Sequence, residues 1–281
     1  MNPKVSVVTV CLNNSGIIRQ TMESIIDQTY GNIERIVVDG KSTDGTLEYL
    51  NSIRDRLAVF ISEPDDGIYD AMNKGIMAAA GDYIIFVNAG DRLRAPDVIE
   101  RVMTDPEIAG SRPKIISGRY QYEYDDKVTK YIRPIKAGKE GRALPHQAVF
   151  VSAVLQKENL FDTRYRVAGD YELWRRLESR GLFEVRYIDN VISVFSYGGA
   201  SSNPKNDPRR YLEDAYIDSL YSNRFGYMDL LKLFGKVTLR RVLYALLGDR
   251  LFFKLLRTVK ILEHIKRPRR DISDKEGERH A

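Results

Sequence analysis

Val5 to Leu12 (VSVVTVCL) is an unbroken apolar, β-branched run, and a helical pattern follows it rather than a turn and a second strand. A strand with no polar face must be buried on both sides, as in a parallel sheet covered by helices. The arrangement then repeats. Ile18, Met22, Ile25 and Ile26 have helical spacing within Ile17 to Gln28, and Ile33 to Val38 is a second strand. Ser42-Thr43-Asp44-Gly45 forms a turn and a helix N-cap before Leu47, Leu50 and Ile53. Leu57 to Ser62 is a third strand, Ile68 to Ala80 a helix closed by Gly81, and Tyr83 to Val87 a fourth strand. Strands alternating with helices about every 25 residues predict βαβ units and an α/β fold with a mostly parallel sheet flanked by helices. Ligands bind such sheets outside the carboxyl ends of the strands. Three of those ends carry polar clusters: Asn13-Asn14, Asp39, and Asn88 to Asp91.

After Pro96 the pattern changes. Ile115 to Gly118 and Tyr120 to Tyr131 read as strands of an irregular, antiparallel region, and Pro145-His146-Gln147 precedes an apolar stretch, Ala148 to Leu155. Asp170 to Leu182 is an amphipathic helix with Leu173, Trp174 and Leu177 on one side, and Gly198 to Pro208 is loop-like. Tyr211 to Leu262 reads as helical, with breaks near Gly226, Gly235 and Gly248. The expected organisation is a catalytic domain over 1–205 and a basic, amphipathic helical extension over 206–281.

Several classes are excluded. Cys11 is the single cysteine, so no intrachain disulfide and no cysteine-based zinc site can form. Three histidines (His146, His264, His280) argue against a histidine-rich metal centre. No run of about 18 apolar residues occurs, and no charged segment or cleavage site precedes Val5. With the lone thiol, these features set the expected location as the cytoplasm. The first strand is followed by CLNNSG, not a G-x-G-x-x-G fingerprint, and neither a G-x-x-x-x-G-K-[ST] loop nor a G-x-S-x-G elbow is present.

Three constellations remain. Asn88-Ala89-Gly90-Asp91 ends the fourth strand; a carboxylate there can ligate a hard divalent ion, or Asp91 is a turn residue of a plain loop. Ser62 to Gly75 (SEPDDGIYDAMNKG) sets three acids before a helix with Asn73-Lys74 one turn in. Those acids can accept hydrogen bonds from a ribose or base and Lys74 can meet a phosphate, or the acids complement the helix dipole. Asp170, in AGDYELW, is either a helix N-cap or a general base on a helix lip.

Together these residues resemble the inverting family 2 glycosyltransferases of GT-A fold, with VSVVTVCLN, VVDGKSTDGT, SEPDDGIYDAMNKGI, FVNAGD and AGDYELWRRL in the family's order from Val5 to about Tyr197. SEPDDGIYDAMNKGI is especially similar to bacterial polysaccharide-assembly enzymes, including those of colanic-acid type. The resemblance implies that the backbone near Thr9 and Leu12-Asn13, with Asp39, holds the base of a nucleotide sugar. It sets Asp66 against ribose or base, Asn73-Lys74 near the nucleotide, and Asn88, Ala89 and Gly90 along the donor. Asp91 takes the metal-ligand position, on Mg²⁺ or Mn²⁺ at the diphosphate, and Asp170 the catalytic-base position. Asn88 stands where the metal motif has its first acid and Gly90 where a second often stands, so the diphosphate is expected to complete the ion's site. His146-Gln147 lines the acceptor side or is structural. The implied reaction moves a hexose from a UDP-sugar, with GDP and dTDP open, to a hydroxyl of a glycan or lipid-linked glycan. A nucleotide-sugar-binding module without turnover is the alternative favoured by Asn88. A nucleotidyltransferase is another, but no Gly- and Arg-rich triphosphate loop follows the first strand.

Charge is unevenly placed. The net charge is +5, yet residues 1–223 hold 29 Lys+Arg against 32 Asp+Glu, and residues 224–270 hold 13 against 3. Leu, Phe and Val interleave with Lys and Arg from Met228 to Ile265, the pattern of a helix lying in a membrane interface. The expected partner of 228–265 is an anionic membrane surface, which makes the protein peripheral at the inner face of the plasma membrane. A packed helical subdomain or a homo-oligomer interface is the alternative. Nucleic acid is not expected, because no recognised motif accompanies the charge.

Overall fold

The computed structural model describes residues 2–124, 127–133, 144–196 and 207–221, together with 235, 238–239, 242–248, 251 and 255. Strand β1 (Val5–Cys11) is buried along its whole length, as its unbroken apolar run requires. It lies between β2 (Ile33–Asp39) and β4 (Tyr83–Phe86) and runs parallel to both, with Cys11 opposite Asp39 and Val8 opposite Phe86. β3 (Val59–Ser62) continues the parallel sheet beyond β2. The chain thus winds outward from β1 to β3 and returns to the other side of β1 for β4, with α1 (Ile18–Ile26), α2 (Thr46–Ser52) and α3 (Ile68–Ala78) as crossovers. That reversal opens a crevice at the carboxyl ends of β1, β2 and β4.

Beyond β4 the direction changes. β8 (Val149–Ser152) is antiparallel to β4, and β6 (Ile115–Tyr124) is antiparallel to β8. The order of the nine-stranded sheet is β3-β2-β1-β4-β8-β6-β9-β5, with β7 (Lys127–Arg133) paired to β6. β9 (Val185–Ser196) runs parallel to β6, and β5 (Arg92–Leu93) antiparallel to β9. The region expected to be antiparallel is therefore mixed, and the stretch Tyr120 to Tyr131 belongs to two strands, β6 and β7.

Alternation along the strands sorts side chains into two apolar layers. Val5, Val7 and Cys11 face Ile18, Met22 and Ile25 of α1 and Val98 to Met103 of α4 (Val98–Met103). Val8, Val10, Ile36 and Val38 face Met72 and Ile76 of α3 and Leu173, Trp174 and Leu177 of α7 (Gly169–Ser179). Each fully buried side chain contributes about 1.5–3 kcal/mol. Short α5 (Pro106–Ser111) and α6 (Ala153–Glu158) complete the layers.

The loop-like stretch Gly198 to Pro208 falls outside the described residues up to 206, and Asp207-Pro208 open α8 (Asp207–Tyr221). α8 packs on α7: Ile217 is buried against Tyr165 and Ala168, and the Tyr221 hydroxyl donates to Glu172 of α7. The compact division of the chain falls between Val237 and Thr238, not near 205, so α8 belongs to the first unit. Most of the expected helical stretch beyond Tyr221 lies outside the described residues. Among the described residues no helix is long and apolar enough to cross a membrane.

Candidate active site

Two strand-end loops are zipped together at the crevice. Asn13 takes a left-handed φ of 53° where the chain turns out of β1, and its N–H donates to Ser42 Oγ. Thr43 N–H donates to Asn13 Oδ1, Asn14 N–H to Thr46 Oγ1 and Ser15 N–H to Asp44 Oδ2. The Ser15 N–H and the Thr46 hydroxyl hold the Asp44 carboxyl well below the usual carboxylate range. Beneath this zipper Asp39 is completely buried. Its oxygens accept from the N–H and hydroxyl of Ser42, from the Ser62 hydroxyl and from the Cys11 thiol. Burial first, and Asp39 second, push the Cys11 thiol up, so it is inert.

Leu12 is half exposed over this floor. Asp65 Oδ2 lies in the space a Cβ on Gly40 would need, and Leu12 Cδ1 is 3.3 Å from that position. Leu12, Gly40 and Asp65 thus form one wall. Gly67 follows with φ 109°, a conformation glycine adopts without strain, and the Arg166 guanidinium occupies the room a side chain there would fill. Asp66 is exposed and its N–H donates to Asp70.

The next strand end carries Asn88 to Asp91. Gly90 has φ 99° and its N–H donates to Thr21 Oγ1, while the Thr21 hydroxyl donates to Asp91 O. Ala89 N–H donates to Val10 O, and the Thr9 hydroxyl, inside the sheet, donates to Val87 O. Asn88 and Asp91 are both buried. Among the described residues Asn88 Oδ1 has no hydrogen-bond partner.

Asp170 arrives from the opposite side, in the first turn of α7. It is not the N-cap: Ala168 holds that position and supplies no side-chain bond. The segment leading into α7 is instead held from α8, where the Glu213 carboxylate accepts from the N–H groups of Arg166, Val167 and Ala168, each at 2.9 Å. The Tyr69 hydroxyl of α3 donates to Val167 O, and its ring lies against Gly169. Asp170 Oδ1 accepts from Tyr171 N–H, and Oδ2 meets His146 Nδ1 at 3.2 Å.

His146 opens a short 3-10 turn (His146–Ala148) leading into β8. Its Nε2 lies 3.2 Å from Asn88 Nδ2. Burial pulls the imidazole's pKa down, but the hydrogen bond and charge of Asp170, with the charge of Asp91, raise it overall. His146 therefore links the strand-end loop of Asn88 and Asp91 to Asp170 of α7.

Other expected residues have different partners. Asn73 spends both amide atoms on the backbone of Phe161, at 2.9 Å each. Lys74 donates to Pro64 O and pairs with Glu63 and Asp70; the Glu63 bond is the largest influence raising its pKa. Lys74 thus braces the 63–67 loop, and Asn73 ties α3 to the segment at Phe161. Thr21, Glu213 and Arg166 escaped the sequence reading. A helical threonine and a glutamate 45 positions beyond the segment it holds leave no local pattern.

Residues 6–161 match the profile of Glycosyl transferase family 2, more than half of the chain. The chain belongs to that family. A relative of this glycosyltransferase, an uncharacterized glycosyltransferase of Mycobacterium tuberculosis (strain CDC 1551 / Oshkosh), is 36% identical over 181 residues, 60% of this chain and 67% of the relative. A PGL/p-HBAD biosynthesis glycosyltransferase of Mycobacterium bovis (strain BCG / Pasteur 1173P2) is 30% identical over 213 residues, 72% and 80% of the two chains. Among solved structures, S. aureus TarS 1-349 in complex with UDP-GlcNAc aligns with a TM-score of 0.60 at 14% identity, covering 88% of this chain and 76% of that one. A mannosyltransferase from Pyrobaculum calidifontis in complex with GDP-Man and Mn²⁺ gives 0.59 at 17%, covering 95% and 82%. This glycosyltransferase has the GT-A fold. The family match ends before α7, so the role of Asp170 rests on its surroundings.

Proposed function

We propose that this glycosyltransferase moves a hexosyl group from a nucleotide-diphosphate sugar, UDP-sugar first, to a hydroxyl of a glycan or lipid-linked glycan in cell-surface polysaccharide assembly, inverting the anomeric centre. The observation that carries this reading is the chain of contacts Asn88–His146–Asp170, which sets a carboxylate across from the strand-end loops. In this assignment Leu12, Asn13, Gly40 and Asp65 border the base seat, with Asp39 and Thr9 fixing its floor. Asp66 lies at its exposed rim, Lys74 holds the loop in place while Asn73 anchors α3 to Phe161 beside it, and Arg166 faces the diphosphate as a cation. Ala89 and Gly90 pass beneath the donor.

A divalent ion fits the residues present. Asp91 is a buried carboxylate, and Asn88 Oδ1 is a buried amide oxygen with no hydrogen-bond partner; both are hard oxygen donors. Among the described residues there is no group of three or more His, Cys, Asp or Glu that could hold an ion, so diphosphate and water oxygens would supply the remainder. When bound, the ion stabilises charge building on the leaving diphosphate as a Lewis acid. Asp170 accepts the proton of the acceptor hydroxyl as the new C–O bond forms. One base on the face opposite the leaving group suffices for inversion.

Melting temperature, measured with UDP-, GDP- and dTDP-sugars with and without Mn²⁺, tests the donor assignment. Ligand at 100 times its Kd adds about 2.7 kcal/mol. One nucleotide class should raise the melting temperature, more strongly with Mn²⁺. If none does under either condition, the assignment is wrong.

The basic segment supports contact with an anionic membrane and a peripheral position at the inner face of the plasma membrane. In the second unit, Thr238–Ala281, the apolar side chains of Leu239, Leu246 and Leu251 are more than half exposed. Apolar groups left outside a core and set among cations suit an interface.

A further inference from the structure

We propose that His146 is a positioning residue that locks the carboxylate of Asp170 to the donor-side loop. The inference rests on the assignment of Asp170 as base. Its origin is topological. β8 is antiparallel to β4, with Tyr83 opposite Ser152 and Ile84 opposite Val151. The start of β8 therefore lies beside the end of β4. Residues just before β8 must come next to residues just after β4, and these are His146 and Asn88.

The imidazole then has two contacts of different kinds. Asn88 Nδ2 is a donor, so in the neutral ring Nε2 accepts from it and the ring proton resides on Nδ1. Nδ1–H donates to Asp170 Oδ2 at 3.2 Å. Asp170 Oδ1 is tethered to the N–H of Tyr171, so the two bonds together fix the carboxylate plane and leave further lone pairs for an acceptor hydroxyl. The same imidazole fixes the Asn88 amide, because Nδ2 must face His146 and Oδ1 is thereby turned away from it. Asn88 Oδ1 is more than nine-tenths buried and unpartnered, which points it at something bound. One ring thus orients two groups that the reaction uses at the same time, one on the acceptor side and one on the donor side. A bare packing role for His146 would not require opposite polarity at its two nitrogens.

The two contacts can be separated. Asn in place of His puts an amide N–H near the Nδ1 position, and Gln puts its amide near Nε2. Full-length His146→Ala, His146→Asn and His146→Gln are compared with wild type and Asp170→Asn. The readouts are hydrolysis or transfer of the active nucleotide sugar and calorimetric binding of the corresponding nucleoside diphosphate with Mn²⁺. Loss of such an orienting partner typically lowers activity by ~10–100-fold. We expect His146→Ala to lose turnover in that range with an unchanged far-UV spectrum. His146→Asn should recover most of kcat but bind the nucleotide more weakly; His146→Gln should bind normally and stay slow. If Asn and Gln behave alike, or if Ala keeps wild-type kcat while Asp170→Asn is inactive, the positioning role is overturned. If Asp170→Asn keeps turnover, the underlying assignment fails instead.

Discussion

Asp39 receives four donors inside the sheet, whereas Asp170 is partly exposed and shares its carboxylate between one backbone N–H and one imidazole. Position in the sequence does not distinguish them, since each is an aspartate where a strand or helix meets a loop. Surroundings do. Asp39→Ala strands the Ser42 and Ser62 donors, and a buried donor left unpaired costs about 1–3 kcal/mol. We expect Asp39→Ala to lower the melting temperature by roughly 2–10 °C on the usual scaling and to weaken nucleotide binding, because the loop above it loosens. Thermal melting with and without nucleotide checks this; an unchanged melting temperature would assign Asp39 no structural share. His146 shows where residue-level reading stops. PHQ in the sequence is compatible with a structural histidine or with the acceptor side. Only the antiparallel pairing of β8 with β4 brings it to Asn88 and Asp170.

At the scale of elements, α7 carries Asp170, the proposed base, and the segment leading into it is held from another helix. The N–H groups of Arg166, Val167 and Ala168, just before the first turn, depend on Glu213 of α8. Removing that carboxylate in Glu213→Ala should cost about 1–3 kcal/mol, speed amide exchange over residues 166–168, and reduce turnover through misplacement of Asp170. Hydrogen exchange resolved to that segment provides the check, and unchanged protection would contradict this anchoring role. The same contacts tie α8 to α7 within the first compact unit, which runs to Val237. The first four strands and α1, α3 and α7 were readable because each is a local apolar pattern with its own start and stop. β9, pairing parallel with β6 across 70–73 positions of sequence, has no such signature; pairing direction is a property of the whole sheet. The loop-like reading of Gly198 to Pro208 and the helical reading past Tyr221 rest on composition, which says nothing of packing partners.

For the whole molecule, a mildly acidic catalytic unit is joined to a basic segment with exposed apolar side chains. Each Lys or Arg near an anionic leaflet contributes about 1 kcal/mol. The full-length protein should float with phosphatidylserine-containing vesicles at low salt and remain behind with neutral ones. A variant with Arg240, Arg241, Arg250 and Lys254 changed to Glu should lose flotation but keep donor hydrolysis. Failure of the full-length protein to float with either vesicle would contradict membrane contact and favour an interface between subunits. The central claim, however, concerns the crevice and not the tail: Asp170 accepts the proton while a nucleotide sugar bound at the strand ends gives up its glycosyl group with inversion. Time-resolved proton NMR of the anomeric signal, run on wild type and Asp170→Asn with saturating nucleotide sugar and Mn²⁺, reads both parts at once. The account predicts a first-formed product of opposite anomeric configuration from wild type and a loss of ~10²–10⁴-fold in rate for Asp170→Asn; a retained anomer, or equal rates, would contradict it.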